Sequence, residues 1–162
     1  MTSFNIGDKA VVPTHGVGVV RGIVSEDIEG EIYQMYEIAI LDKVLMYRVP
    51  LDQVDAKGVR FPIPADAVER VYEVLRDRTA PRDKQTWNRR YREYMTKIKT
   101  GDPLEVAAVL RDLALLRNDK QLSFGERKMY DQAHSLIVQE LAVATDVDEQ
   151  VIKDAIEAIF TA

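Results

Sequence analysis

Residues 60–64 read Arg60-Phe61-Pro62-Ile63-Pro64, and the character of the chain changes on either side of them. Two prolines in three positions end a run of strand-like segments, because proline removes a ladder donor and biases the residue before it away from helix. Upstream, Ala10 to Pro13, Val17 to Val24, Tyr33 to Leu41 and Val44 to Val49 are rich in valine, isoleucine and tyrosine. Gly16 and Gly18 punctuate the first turn; Glu29-Gly30-Glu31 and Asp42-Lys43 mark the next two. Short strands at this spacing predict a small antiparallel SH3-like or Tudor-like barrel over residues 1–63.

Downstream the period changes from two to 3.6. Val68, Val71, Tyr72 and Leu75 share one face of a helix from Ala65 to Arg78, and Pro81 interrupts it. A second helix is expected from about Thr86 to Lys99, ending at Thr100-Gly101. Asp102-Pro103-Leu104-Glu105 has an N-cap aspartate and a proline at the first helical position. Ser123-Phe124-Gly125-Glu126 is a capping-box sequence opening a helix to about Ala144. A fifth helix runs from about Asp148 to Phe160. The fold class is α+β in two domains, a small β-barrel followed by a compact all-helical domain over residues 64–162.

The chain has 162 residues, 46% hydrophobic and 30% charged, with no cysteine. That excludes a disulfide framework and a cysteine zinc site. No apolar run has membrane-spanning length and the N-terminus lacks a signal pattern, so a cytoplasmic protein without membrane contact is expected. The net charge is −5, which argues against tight binding to free nucleic acid. The charge is unevenly placed. Arg82, Lys84, Arg89, Arg90, Arg92, Lys97 and Lys99 outweigh Asp83 and Glu93, whereas the chain from Gln139 onward is acidic.

Enzymatic chemistry finds no support. The stretch His15-Gly16-Val17-Gly18 resembles a dinucleotide loop, but strand-like residues follow where a phosphate-binding helix would open. A turn within the barrel is the better reading. His15 and His134 fall in different domains, and no spacing offers a metal set, a nucleophile set or a cofactor loop. No catalytic residue, metal or cofactor is expected.

The informative segment is Trp87-Asn88-Arg89-Arg90-Tyr91-Arg92. At 100° per residue, Trp87, Tyr91, Tyr94, Met95 and Ile98 form one stripe, which reads as a core face. Yet Trp87 lies in the first turn, and the charge around it is nearly all positive. An apolar ring beside arginines is also what base unstacking and phosphate contact require. Arg127-Lys128, a second basic pair, sits early in the fourth helix against the helix dipole.

Five stretches in order resemble the CarD/CdnL family of bacterial transcription regulators: GDKAVVPTHGVGVVRGI at 7–23, RVP at 48–50, TWNRRYREYMTKIKTGD at 86–102, VAAVLRDL at 106–113 and LSFGERKM at 122–129. The likeness runs from about Ile6 to Ala144, and the helix from about 148 reads as an extension. The resemblance implies a Tudor-like domain that binds the β subunit of RNA polymerase through Arg48, Val49 and Pro50. It implies a DNA-contacting helical domain using Trp87, Arg89, Arg90, Arg92, Arg127 and Lys128. Trp87 would lodge at the upstream edge of melted promoter DNA and stabilise the open complex. Glu26 stands at or near a position where some members carry a polymerase-contacting arginine. Promoter DNA would be bound weakly and without sequence preference, mainly within the polymerase complex, by a monomer. The alternatives are a KOW-like RNA- or ribosome-associated module and a protein–protein adaptor.

Overall fold

The structure is a computed structural model that describes residues 1–79 and 86–162. Pro81, Arg82, Asp83 and Lys84 of the expected break and basic run lie outside the described residues. The chain divides into two units, Met1–Pro62 and Ile63–Ala162.

In the first unit, β1 (Lys9–Val12), β2 (Gly16–Ile28), β3 (Glu31–Ile40) and β4 (Leu45–Pro50) form one antiparallel sheet in chain order. The sheet curls into a half-barrel of the Tudor-like type. Arg21 is an extra residue on β2 between the pairs Val20↔Ile38 and Gly22↔Glu37, a bulge that sharpens the curl. Tyr36, Ile38 and Ile40, at alternate positions of β3, face a core with Phe4, Val12, Val20, Val49, Val54 and Val59.

The strands reach further than the sequence pattern indicates. β2 and β3 pair as far as Ile28↔Glu31, because Glu29 and Gly30 take φ of 52° and 85°. Two successive left-handed residues match the strand twist, so the ladder continues into the turn. The His15-Gly16-Val17-Gly18 stretch is a strand turn: Gly16 opens β2 with φ 106°. A β-carbon on Gly18 would stand 2.8 Å from the Ala39 carbonyl oxygen, so the neighbouring strand requires this glycine.

The second unit comprises α1 (Val68–Arg76), α2 (Trp87–Lys99), α3 (Pro103–Asp119), α4 (Phe124–Thr145) and α5 (Glu149–Thr161). Residues Ala65–Ala67 form a single 3-10 turn before α1, where the apolar period alone indicated α-helix. The caps follow the sequence. Asp102 Oδ1 accepts from Leu104 N at 2.9 Å, and Ser123 and Glu126 form the reciprocal capping box. All five helices contribute to one core, with Leu75, Ile98, Leu110, Leu113, Ile137, Leu141 and Ile156 among its buried members.

α5 is part of that core, not an appendage to it. Its Ile152, Ile156 and Phe160 lie one turn apart and are buried. Arg78 donates to the carbonyls of Ile159 and Ala162 at 2.9 and 3.0 Å, and Arg117 pairs with Glu157 at 3.4 Å. Among the described residues no helix is long and apolar enough to cross a membrane.

Candidate nucleic-acid and protein interfaces

Trp87 is the first residue of α2, and its indole lies on Gly125, the second residue of α4. A β-carbon on Gly125 would stand 3.1 Å from Nε1 and 3.5 Å from Cε2 and Cζ2. At that distance a side chain would be tighter than most contacts, so the ring would have to give by a few tenths of an ångström. One turn along α2, the Arg90 guanidinium lies 5.4 Å from the ring centroid, and Tyr91 meets the ring edge-on at 5.9 Å. The indole is partly buried and packs against the helical core. Trp87 is thus neither fully buried nor fully exposed.

Arg90 departs from its basic neighbours. Its side chain is 13% exposed, and Nη2 contacts Glu126 Oε2 at 3.3 Å. Glu126 is 2% exposed; its other oxygen accepts from Ser123 N at 2.9 Å and Lys120 Nζ at 3.2 Å. Burial alone would raise the Glu126 pKa, but the hydrogen bonds from Ser123 and the Lys120 charge outweigh it and hold the group at about 2. Arg90 Nε is buried without an acceptor among the described residues. The sequence places Arg90 with Arg89 and Arg92 among the charges away from the aromatic stripe; the fold turns it inward, against the Trp87 ring and Glu126.

Arg89, Arg92, Arg127 and Lys128 are exposed, and among the described residues no carboxylate pairs with them. The capping box thus has two roles here. It closes α4, and it holds the Glu126 carboxylate in an ion-paired cluster with Arg90, whose guanidinium lies over the Trp87 ring. The Ser-x-x-Glu pattern signals the first role. Nothing local in the sequence signals the second, since Arg90 and Glu126 are 36 positions apart.

Arg48 lies on β4, the edge strand of the sheet, directly opposite Glu37. It is 49% exposed and contacts Glu37 Oε2 at 3.0 Å and Glu26 Oε2 at 3.9 Å. Glu26 is therefore a partner of Arg48. The Val49 side chain is buried in the sheet core, and Pro50 is partly buried. Of the three, Arg48 alone presents a freely exposed side chain; Val49 offers backbone.

Among the described residues no group of three or more histidine, cysteine or acidic side chains could hold a metal. His134 stacks on Tyr130 with ring centroids 5.8 Å apart, and burial followed by Lys153 lowers its pKa.

Comparison with known proteins agrees with this division. Residues 4–63 match the CarD-like/TRCF RID domain, and residues 70–157 match the CarD C-terminal domain. The second match runs into α5 as far as residue 157. The "Putative transcription factor YdeB" of Bacillus subtilis (strain 168) is 30% identical over 154 residues, covering 93% of this chain and 97% of the relative. The chain belongs to the CarD family of transcription regulators, with an N-terminal RNA polymerase-interaction domain followed by the CarD C-terminal domain.

Proposed function

We infer that this chain regulates transcription initiation by binding the β subunit of RNA polymerase through β4 and stabilising the promoter open complex through its helical unit. Among the described residues β4 ends the sheet with no strand paired on its outer side, so a partner strand can add there. Arg48 supplies the charged side chain; Val49 and Pro50 supply the edge itself. In the helical unit, Trp87 meets the upstream edge of the melted DNA from the minor groove. Arg89, Arg92, Arg127 and Lys128 hold phosphates on either side, and Arg90 supports the ring.

The observation that carries this reading is four exposed cations without a carboxylate partner among the described residues, two on the helix that begins with the partly buried Trp87 and two on the helix whose Gly125 its indole meets, in a chain of net charge −5. Such a chain binds free duplex poorly. Held by polymerase, it works at an effective concentration of about a millimolar, where weak phosphate contacts suffice.

The test is binding of the full chain to RNA polymerase and to its isolated β subunit, with Arg48→Glu as the variant. The substitution sets a third carboxylate beside Glu37 and Glu26. Binding to β that the variant loses is the expected result, together with a longer open-complex lifetime for the native chain alone. Equal binding by both proteins would remove β4 from the contact.

A further inference from the structure

The aromatic side chain most open to solvent beside Trp87 is one that neither the sequence pattern nor the family likeness singles out. Phe124 is 85% exposed. It is the first residue of α4, next in the chain to Gly125, on which the Trp87 indole rests. Its neighbours on the helix surface are set by geometry: positions i+3 and i+4 are Arg127 and Lys128, both exposed. The opposite face of the same turns, Glu126, Met129 and Tyr130, is buried. Phe124 thus caps a stripe of two cations, and it contributes to neither hydrophobic core.

Phe124 has no local structural task. Ser123 and Glu126 already cap the helix. Leu122, before the cap, packs against the core. A phenyl ring left in water forgoes the stabilisation that burial would give. Glu126, two positions on, is buried and ion-paired, so the exposed charges one turn on from the ring, Arg127 and Lys128, are both positive. A flat apolar face one turn from two cations that no carboxylate pairs among the described residues suits a single-stranded base, whose phosphates take the charges while the ring takes the stack.

We propose that Phe124 is a second stacking contact of the nucleic-acid surface, receiving an unpaired base next to the step covered by Trp87, with Arg127 and Lys128 holding the phosphates of that strand. This rests on the reading of the helical unit given above. The occupant is single-stranded DNA at the melted junction, because a duplex buries its base faces and offers the ring nothing to stack on.

The experiment uses the full chain with RNA polymerase holoenzyme on promoter DNA carrying 2-aminopurine at the first unpaired upstream position. Open-complex lifetime and probe fluorescence are read for the native chain, Trp87→Ala, Phe124→Ala and Phe124→Tyr. Phe124→Ala is expected to shorten the lifetime about five- to a hundredfold, the range for losing one base stack, and to brighten the probe. Phe124→Tyr keeps the ring and restores both. Thermal stability and the emission of Trp87 should be unchanged in both Phe124 variants.

A native chain that prolongs the open complex and a Phe124→Ala variant that does so equally well would overturn this assignment while leaving Trp87 its role. A Phe124→Ala variant whose Trp87 emission shifts would overturn it too, because the ring would then be acting through the tryptophan. A native chain without effect on the open complex would remove the functional reading, and this inference with it.

Discussion

The Trp87 indole lies so close to Gly125 that a side chain at that position would crowd it. A β-carbon at Gly125 would meet Nε1 at 3.1 Å, closer than such contacts normally stand. Gly125→Ala therefore sets two effects against each other. Alanine favours the helix by roughly 0.5–1 kcal/mol, and the contact pushes the ring outward. Stability should change by less than about 1 kcal/mol while Trp87 moves. Because Trp87 is the only tryptophan, its emission reports that movement directly. A shifted emission with an unchanged melting temperature is expected, and Gly125→Val should shift it further. Trp87→Ala should leave the helical unit folded, since the ring is only partly buried; its unfolding would make Trp87 a core anchor.

Glu126 gives the helical unit a dependence on acid. Its carboxyl sits at about 2 when folded, against 4.5 in an exposed chain. The folded state thus holds the charged form more tightly, and the resulting stability is complete above pH 4.5 and disappears as pH falls toward 2. The shift corresponds to about 3 kcal/mol. Glu126→Gln keeps a cap that can accept from Ser123 N but leaves Arg90 buried without its counter-ion. That loss is expected to cost about 3 kcal/mol at neutral pH, the lower end for breaking a buried pair. Chemical denaturation between pH 2 and 7 checks both points: the native chain should lose stability across the acid range, and the variant should lose less there. Equal pH slopes would show that Glu126 does not carry the effect.

Deleting α5 tests whether the acidic end of the chain is structural. Ile152, Ile156 and Phe160 are buried in the common core, and each contributes roughly 1.5–3 kcal/mol by burial. Their combined loss is comparable with the whole stability of an ordinary domain. A chain ending at Asp148 should lose its cooperative thermal transition by circular dichroism. If α5 served only to screen the basic surface, truncation would leave the transition in place and tighten DNA binding.

Much of this fold is legible in the sequence because its signals are local. The Arg60–Pro64 break, the Asp102-Pro103 start and the Ser123-Glu126 box depend on residues within a few positions of each other. The errors have equally physical sources. The strand-like run ends at Val24, but β2 continues to Ile28, because the two-residue turn at Glu29-Gly30 carries the pairing on. Arg90 reads as one more surface cation, and its burial depends on Glu126 arriving from another helix. Phe124 reads as an ordinary apolar residue because periodicity is weak in a helix's first turn. The helical span of α5 is legible in the sequence, but its packing on the domain is not, because the residues that receive Ile152, Ile156 and Phe160 come from distant segments.

The last prediction concerns salt. If Arg89, Arg92, Arg127 and Lys128 each neutralise one phosphate, binding of the chain to free duplex should fall with log salt at a slope of roughly −3 to −4. The affinity should be weak at physiological salt, since the rest of the chain brings the net charge to −5. Replacing Arg127 and Lys128 with alanine should make the slope shallower by about two, and Arg90→Ala should leave it unchanged because that guanidinium already faces Glu126. Fluorescence anisotropy with a labelled duplex over a salt series separates these cases. A slope that falls when Arg90 is removed would put this side chain on the phosphates and out of its place beneath the tryptophan. A slope indifferent to Arg127 and Lys128 would remove the start of α4 from the DNA surface.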